Sequence, residues 1–204
     1  MSNSAFNLNT TNITKGDVGL GNVDNTSNAT ERAATATLTN KDLSSTTNTF
    51  PAGSQVQFVD TLSSASATGT SIIPRDDTIP QNTEGTEFMT VTITPRFTSS
   101  KLVVEACAFI SHSVGNTSLT SALFQDSTAN AIAASNAFQA IGTGNLQTTI
   151  YHSFTAGSLS ATTFKIRCGG SQAGTLTFNG GAGGAPGLYG AITKSWIKVT
   201  EIKA

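Results

Sequence analysis

The sequence predicts an all-β protein whose larger, C-terminal part is an antiparallel β-sandwich of jelly-roll type. Three observations predict this fold class. About a third of the residues are Ser, Thr or Asn, and threonine favours strands. Charged residues make up only 11% of the chain, so the Glu- and Lys-rich stretches that long helices prefer are scarce. Short apolar or alternating segments recur at near-regular spacing between turn-forming residues, which is typical of a sandwich.

Eight to ten short strands are predicted after residue 50. Residues 88–94 alternate threonine with apolar side chains, and residues 101–111 are apolar on both faces, as a central strand would be. The loop of residues 74–86 contains two prolines and is predicted to be an ordered crossover between sheets. The predicted strands cover residues 54–62, 87–95, 101–111, 119–125, 131–138, 146–154, 162–168, 175–178 and 188–202.

The texture of the sequence divides the chain into three regions. Residues 1–15 are polar and nearly uncharged, with Phe6, Leu8 and Ile13 as isolated apolar side chains. Such a segment buries too little surface to offset its ordering entropy, so we expect it to be an attachment arm that docks on another protein through these three residues. Residues 51–204 form the predicted sandwich.

Residues 16–50 lie between these two regions and have too few apolar residues for a core of their own. Val18, Leu20 and Val23 are spaced among glycines and polar residues, and residues 28–36 can carry one or two helical turns behind a polar cap. A structureless loop of this length is improbable inside a compact domain. We therefore expect a narrow stalk in which several chains share Val18, Leu20 and Val23 as a common core.

Two stretches of the sequence resemble fibre proteins of tailed bacteriophages. Residues 15–28 read KGDVGLGNVDNTSN, and this closely resembles a motif that recurs in trimeric tail-fibre shafts and at shaft-to-domain junctions, with Gly16 and Asn28 as variants. Residues 79–87, IPQNTEGTE, followed by a Thr-rich strand and Ser100-Lys101-Leu102, resemble more weakly a module at the C-terminal ends of phage fibre and virion proteins. The resemblance implies a homotrimer with a β-sandwich tip on a stalk.

Charge and hydropathy argue against several classes of partner. The net charge is −1 and the eleven Lys and Arg residues are scattered, whereas a nucleic-acid partner requires clustered positive charge. No run of 18 apolar residues exists, so we expect no membrane insertion. The N-terminus lacks the basic and apolar regions of a signal peptide, so we expect assembly in a host cytoplasm and a final location on the virion.

Catalytic and metal-binding residues are few. His112 and His152 lack the further ligands that a zinc site needs. Residues 76–77, both Asp, with Glu84 and Glu87 form the one acidic concentration; a solvated loop, a calcium site and a glycosidase pair are its three interpretations, in that order. No nucleophile elbow or phosphate-binding loop occurs. We therefore expect no enzyme activity, no metal site and no cofactor.

The two cysteines, Cys107 and Cys168, are too few for a disulfide framework. We interpret them as small buried hydrophobic residues, with a single bridge between neighbouring strands as the alternative.

Candidate contact residues for a host surface lie in predicted turns. The run of residues 180–187 is glycine-rich, and it is either a flexible tip loop or a loop whose bare backbone a partner approaches. Tyr189 beside it, and also Tyr151 and Trp196, combine an apolar ring with a polar group that suits sugars, although packing is the expected role of Trp196. The predicted receptor-contact residues are Asn116, Gly142, Gly181, Gly183, Gly184 and Tyr189.

These observations lead to one functional hypothesis and two rivals. The leading hypothesis is a short homotrimeric phage tail fibre that adheres to a host-surface glycan or protein and is anchored to another virion protein. The first rival is a head-decorating fibre or tail adaptor with a purely architectural role. The second rival is a polysaccharide-degrading enzyme that uses Asp76 and Asp77.

Overall fold

A computed structural model describes residues 49–204, and these residues form ten strands. The predicted attachment arm, the stalk with its shared core and the helical turns at residues 28–36 lie outside the described residues. One 3-10 turn, Leu188–Ala191, occurs within them. The strands are β1 (Gln55–Ser63), β2 (Ala67–Gly69), β3 (Thr86–Ile93), β4 (Lys101–His112), β5 (Thr117–Gln125), β6 (Ala133–Gln139), β7 (Asn145–Thr155), β8 (Thr162–Gly170), β9 (Leu176–Phe178) and β10 (Ser195–Ile202).

The larger of two sheets is organised around β4. Along one edge of β4, β7 pairs over eleven residues. Along the other edge, β10 pairs with the first half of β4 and β9 with its last three residues, so β9 and β10 lie end to end. Outside them, β1 pairs with β10 and β2 pairs with β9. Every one of these pairings is antiparallel, and we call this assembly the large sheet.

The smaller sheet has the order β3-β8-β5-β6 and is also antiparallel. The hydrophobic core lies between the two sheets. It includes Leu102, Val104 and Ile110 from β4 together with Phe164 and Ile166 from β8. The predicted fold class is therefore confirmed: the described chain is an all-β sandwich with antiparallel sheets.

The central position predicted for residues 101–111 is also confirmed. Alternate residues of β4 project from opposite faces of the sheet. Leu102 and Val104 face the core, while Val103 and Cys107 on the opposite face are buried as well. We call that opposite face, which points away from the smaller sheet, the outer face.

The sequence-based description of two strands was wrong. The last strand begins at Ser195 rather than at Leu188, because Tyr189, Gly190 and Ala191 all have positive φ angles, which no strand accommodates. The short strand β2 was missed because its three residues, Ala-Thr-Gly, carry no apolar alternation. The loop of residues 74–86 leads from the large sheet to the smaller sheet, as predicted. Gln81 in this loop forms an isolated β-bridge with Asn130, which lies between β5 and β6 of the smaller sheet.

A buried carboxylate ties the large sheet to the turn that follows β3. Glu201, on the inner face of β10, has no exposed surface. Its oxygens accept hydrogen bonds from the backbone N–H of Arg96 (2.9 Å) and of Phe97 (3.0 Å), and from the side-chain amide of Gln57 (2.6 Å). A carboxylate satisfied in this way is stable in the interior, whereas removing it leaves the N–H groups of Arg96 and Phe97 without this acceptor.

We expect Glu201→Ala to lower the free energy of unfolding by about 3 kcal/mol, because buried donors lose a charged partner. Urea unfolding at fixed protein concentration, followed by Trp196 fluorescence, measures this loss. The matched control is Glu87→Ala, which removes a partly exposed pair with Lys165 and Arg167 and should cost less than about 1 kcal/mol. Equal losses in the two variants would contradict the role given to Glu201.

Candidate functional site

Between β9 and β10 the chain leaves the large sheet for sixteen residues, 179–194, which we call the excursion. Its two ends are held together at Phe109 of β4. The N–H of Asn179 donates to the Phe109 carbonyl (2.9 Å), and the N–H of Phe109 donates to the Ser195 hydroxyl (2.9 Å). That hydroxyl donates in turn to the Asn179 side-chain oxygen (2.7 Å). We call this closed set of hydrogen bonds the neck.

Asn179 is the residue on which the neck depends. Its side-chain nitrogen donates to the carbonyls of Ser63 (2.9 Å) and Ala65 (3.3 Å), so it also spans the break between β1 and β2. Its φ of 55° lies in the left-handed region, which asparagine tolerates better than most residues. Both interruptions of the large sheet are thus joined by one buried amide.

The glycine-rich run is folded back on itself rather than extended as a flexible tip. Gly181 pairs with Ala185 in an isolated bridge, and the N–H of Gly184 donates to the Thr177 hydroxyl (2.9 Å). A Cβ on Gly180 would collide with the Ala185 carbonyl oxygen and with the Ser66 hydroxyl. Glycine is therefore required there by close packing.

A cavity of about 340 Å³ lies between the excursion and the outer face of the large sheet. It opens beside Tyr189, whose side chain is 81% exposed although its φ is 51°. None of the described residues that line it is charged. The residues that line the cavity include Phe109, Asn145, Gln147, Leu188, Tyr189 and Thr193.

The receptor-contact residues predicted from the sequence fall into three groups. Gly183, Gly184 and Tyr189 are exposed in the excursion. Gly181 is buried against Ala185, because the loop folds back and covers it. Its prediction as a receptor-contact residue is therefore corrected.

The remaining two predicted contact residues lie in neighbouring turns. The N–H of Asn116, in the turn after β4, donates to the Ala140 carbonyl (3.1 Å), and Gly142 packs against Ser113. Asn116 is exposed and Gly142 is partly exposed, but neither lines the cavity. Asn145 and Gln147 were missed because they reach the excursion only through the pairing of β7 with β4, and Phe109 was missed because it reaches the excursion through the neck.

The outer face of the large sheet carries exposed apolar side chains. Phe58 and Leu62 on β1 are 56% and 54% exposed, and Tyr151 on β7 is exposed as well. Trp196 lies opposite Leu62 and is half-buried. The period-two alternation of β1 predicted that Phe58 and Val59 lie on opposite faces of the strand. It did not predict that Phe58 would be exposed to solvent.

The groups considered for metal binding or catalysis are dispersed. His112 pairs opposite Leu176 and His152 opposite Val104, which places them about 26 Å apart along β4. Within residues 49–204, no group of three or more His, Cys, Asp or Glu side chains is placed to hold a metal ion. In the same residues, no helix is long and apolar enough to cross a membrane.

Three of the four acidic residues in and next to the loop before β3 have partners of their own. Asp76 accepts from the N–H (2.9 Å) and the hydroxyl (2.6 Å) of Thr78, and these bonds lower the pKa of its carboxyl. Glu84 accepts from the N–H of Gln81 (2.9 Å), and Glu87 faces the basic residues of β8. These bonds give Asp76, Glu84 and Glu87 separate partners and stabilise the loop.

Both cysteines are free and buried, as expected of small apolar residues, and no bridge joins them. Cys168 faces the core beside the Ser121 hydroxyl (3.2 Å), and burial raises its pKa to about 12. Cys107 accepts from the Gln147 amide (3.0 Å), and burial raises its pKa as well. Neither thiol has the lowered pKa of a reactive cysteine.

We expect loss of stability at alkaline pH to depend partly on Cys168. Below pH 9 the Cys168 thiol is protonated in both the folded and the unfolded state. Above pH 9 the thiol ionises in the unfolded chain, whereas the folded chain keeps the proton up to about pH 12. The unfolded state is therefore stabilised relative to the folded state as the pH rises. Melting temperatures between pH 8 and pH 11 should therefore fall less steeply in Cys168→Ala than in the wild type. Ile166→Val, which trims the same strand without removing a titratable group, should keep the wild-type slope. Equal slopes in all three proteins would contradict this assignment.

We also expect Ser195→Ala to open the neck. The change removes the donor to Asn179 and the acceptor for Phe109, which should cost about 1–3 kcal/mol. Hydrogen–deuterium exchange should rise in peptides covering residues 179–194 and much less elsewhere. Ser158→Ala, in an exposed loop, is the control. Unchanged exchange in the excursion would show that its ends are held by other contacts.

Comparisons with known proteins add structural neighbours but no family. No family model matches the chain, and no curated protein matches it. Among solved structures it is similar to the Eiger TNF from S. frugiperda, at 9% identity and a TM-score of 0.39, over 72% of this chain and 94% of that one.

Two further neighbours are viral. One is a structure of infectious bursal disease virus Gx strain, at 11% identity and a TM-score of 0.33, over 73% of this chain. The other is the enzymatically active domain of tailspike protein 4 of bacteriophage CBA120, at 14% identity and a TM-score of 0.25, over 62% of this chain. The chain spans 38% and 19% of the lengths of these two. At such identities and TM-scores, none of the three likenesses carries an argument about function.

Proposed function

We propose that this protein is a structural and adhesive component of a virus particle, a short homotrimeric fibre of a tailed bacteriophage. The observation that carries the proposal is the apolar outer face of β1, where Phe58 and Leu62 are each more than half exposed and the half-buried Trp196 lies beside Leu62. Contiguous exposed apolar surface on a soluble protein marks an interaction site. Residues 15–28 resemble trimeric fibre shafts, and for this reason we propose that a second copy of the same chain covers this surface.

Covalent continuity supports this choice of occupant. The proposed stalk ends at residue 50, and β1 begins only five residues later, at Gln55. Within residues 49–204, β1 pairs on one side only, with β10, so it is an edge strand of the described sheet. Three stalks that share an axis would bring three copies of β1 together, and Phe58 and Leu62 on each would then pack against a neighbouring copy.

The charges of the outer face are compatible with burial between copies. One row across the sheet reads Asp60, Lys198, Glu105 and Tyr151 from β1 to β7. Lys198 and Glu105 form an ion pair at 2.7 Å within one chain. This pair is neutral before any neighbour arrives, which lowers the cost of burying Lys198 and Glu105.

Adhesion follows from the same assembly. Three heads on one stalk convert weak single contacts with a host surface into useful avidity. The attachment arm, through Phe6, Leu8 and Ile13, would hold the fibre to another virion protein. We propose binding rather than catalysis, because Asp76, Glu84 and Glu87 each bond to a different partner.

We expect the full-length protein to have three times the 20.9 kDa chain mass in light scattering. Changing both Phe58 and Leu62 to Ser should shift the protein towards monomer at concentrations where the wild type stays trimeric, since each buried apolar side chain contributes about 1.5–3 kcal/mol. Phe138→Ser, an equally exposed change on β6 of the smaller sheet, should leave the mass unaltered.

Two results would count against the proposal in different ways. A monomeric wild-type chain would contradict the homotrimeric fibre. A double variant that remains as tightly trimeric as the wild type would show that the outer face is not the interface between copies.

A further inference from the structure

We propose that the cavity beneath the excursion binds a neutral saccharide, with Tyr189 as its aromatic platform. This inference rests on the proposed adhesive function and deepens it by naming the ligand class and the residues. The cavity volume of about 340 Å³ falls within the range of roughly 300–1,000 Å³ that is typical of small-molecule sites.

The position of Tyr189 is the first argument. A bulky side chain at a φ of 51° is a backbone outlier, and such residues persist where the surrounding structure imposes them, often at ligand sites. Gly190 and Ala191 share the left-handed conformation, so three consecutive residues present the ring. With 81% of its surface exposed, this ring gains little from core packing, and its apolar face is free to stack on the C–H groups of a sugar ring.

Uncharged polar groups around the ring are the second argument. Asn145 and Gln147 are exposed at the beginning of β7, on the outer face of the large sheet. Each side-chain amide offers both donors and an acceptor, as vicinal hydroxyl groups require. The amide nitrogen of Gln147 is oriented by its bond to Cys107 (3.0 Å). The Thr193 hydroxyl is held by the Leu188 carbonyl (3.3 Å), which keeps its oxygen at the cavity wall as an acceptor.

The chemistry of the lining selects a neutral ligand. A carboxylate-bearing sugar or a phosphate is normally held by Arg or Lys, and neither lines this cavity among the described residues. A second cavity, on the smaller sheet, shows the contrast because it is lined by Glu87, Lys165 and Arg167. The apolar walls of the first cavity, Phe109 and Leu188, suit the C–H faces of a pyranose instead.

The place of the cavity in the fold agrees with adhesion. The chain enters β1 at the end of the large sheet where Gln55 pairs with Ile202 and Lys101 with Thr155. Phe109 and Asn145 lie towards the opposite end of that sheet. A saccharide bound there would lie at the end of the large sheet opposite to Gln55, the first residue of β1.

The test uses the full-length protein and saturation-transfer difference NMR with glucose, galactose and N-acetylglucosamine as neutral probes. N-acetylneuraminic acid serves as the charged comparison. We expect saturation transfer to at least one neutral sugar and none to the charged one. Tyr189→Asn removes the ring while tolerating the left-handed backbone, and it should weaken binding at least about tenfold, which corresponds to about 1.4 kcal/mol. Gln147→Ala should also weaken it.

Two controls separate this result from general disturbance of the loop. Tyr189→Phe keeps the ring and should bind like the wild type. Ile192→Ala removes an exposed apolar side chain of the same excursion that does not line the cavity, and it should also bind like the wild type.

The proposal is overturned if no neutral sugar shows transfer, if Tyr189→Asn binds as well as the wild type, or if the charged sugar binds equally well. Light scattering on the same samples keeps this failure separate from a failure of the fibre proposal. A trimer without saccharide binding removes only the ligand site, whereas a monomer removes the fibre.

Discussion

Along one edge of β4, Phe109 lies in the gap between β10 and β9, and its backbone N–H and carbonyl need hydrogen-bond partners there. The rest of the large sheet depends on the residues that supply these partners. Buried backbone groups left without partners cost about as much as a lost hydrogen bond. Asn179 supplies the donor and Ser195 the acceptor, and the two side chains then bond each other. This neck lets sixteen residues leave the middle of a sheet without opening it. The excursion, the cavity beneath it and the exposed Tyr189 all follow from that closure.

The two ends of the sandwich have different physical tasks. At the end where β1 begins, Glu201 binds the turn after β3 to the large sheet with a buried, fully hydrogen-bonded carboxylate. Towards the other end, the excursion offers exposed glycines and an aromatic ring over a neutral cavity. Between them, β4 places Leu102 and Val104 in the core, while the edge strand β1 exposes Phe58 and Leu62 on the outer face.

Sequence reasoning reached the fold class and most strands because period-two alternation is a local signal. The strand of residues 101–111 was identified by its two apolar faces, and β4 occupies the centre of the large sheet. The same reasoning failed at Leu188 and Tyr189, whose apolar side chains resemble the start of a strand while their backbone is not extended. The site was found only in part. Tyr189 stands out beside a glycine run, but Asn145 and Phe109 reach it through pairing of distant segments, and Asn179 binds Ser63 across 116 positions. No local pattern encodes such contacts, and Gly181 was misplaced for the same reason.

The central claim is that three copies of the head pack through the outer face of the large sheet and leave the excursion open to solvent. A cryo-EM map of the full-length protein tests both halves of this claim in one measurement. The account predicts a three-fold particle in which Phe58 and Leu62 are buried between copies while Tyr189 remains open to solvent. A map that shows separate heads with solvent-exposed outer faces, or one that buries the excursion between copies, would contradict it.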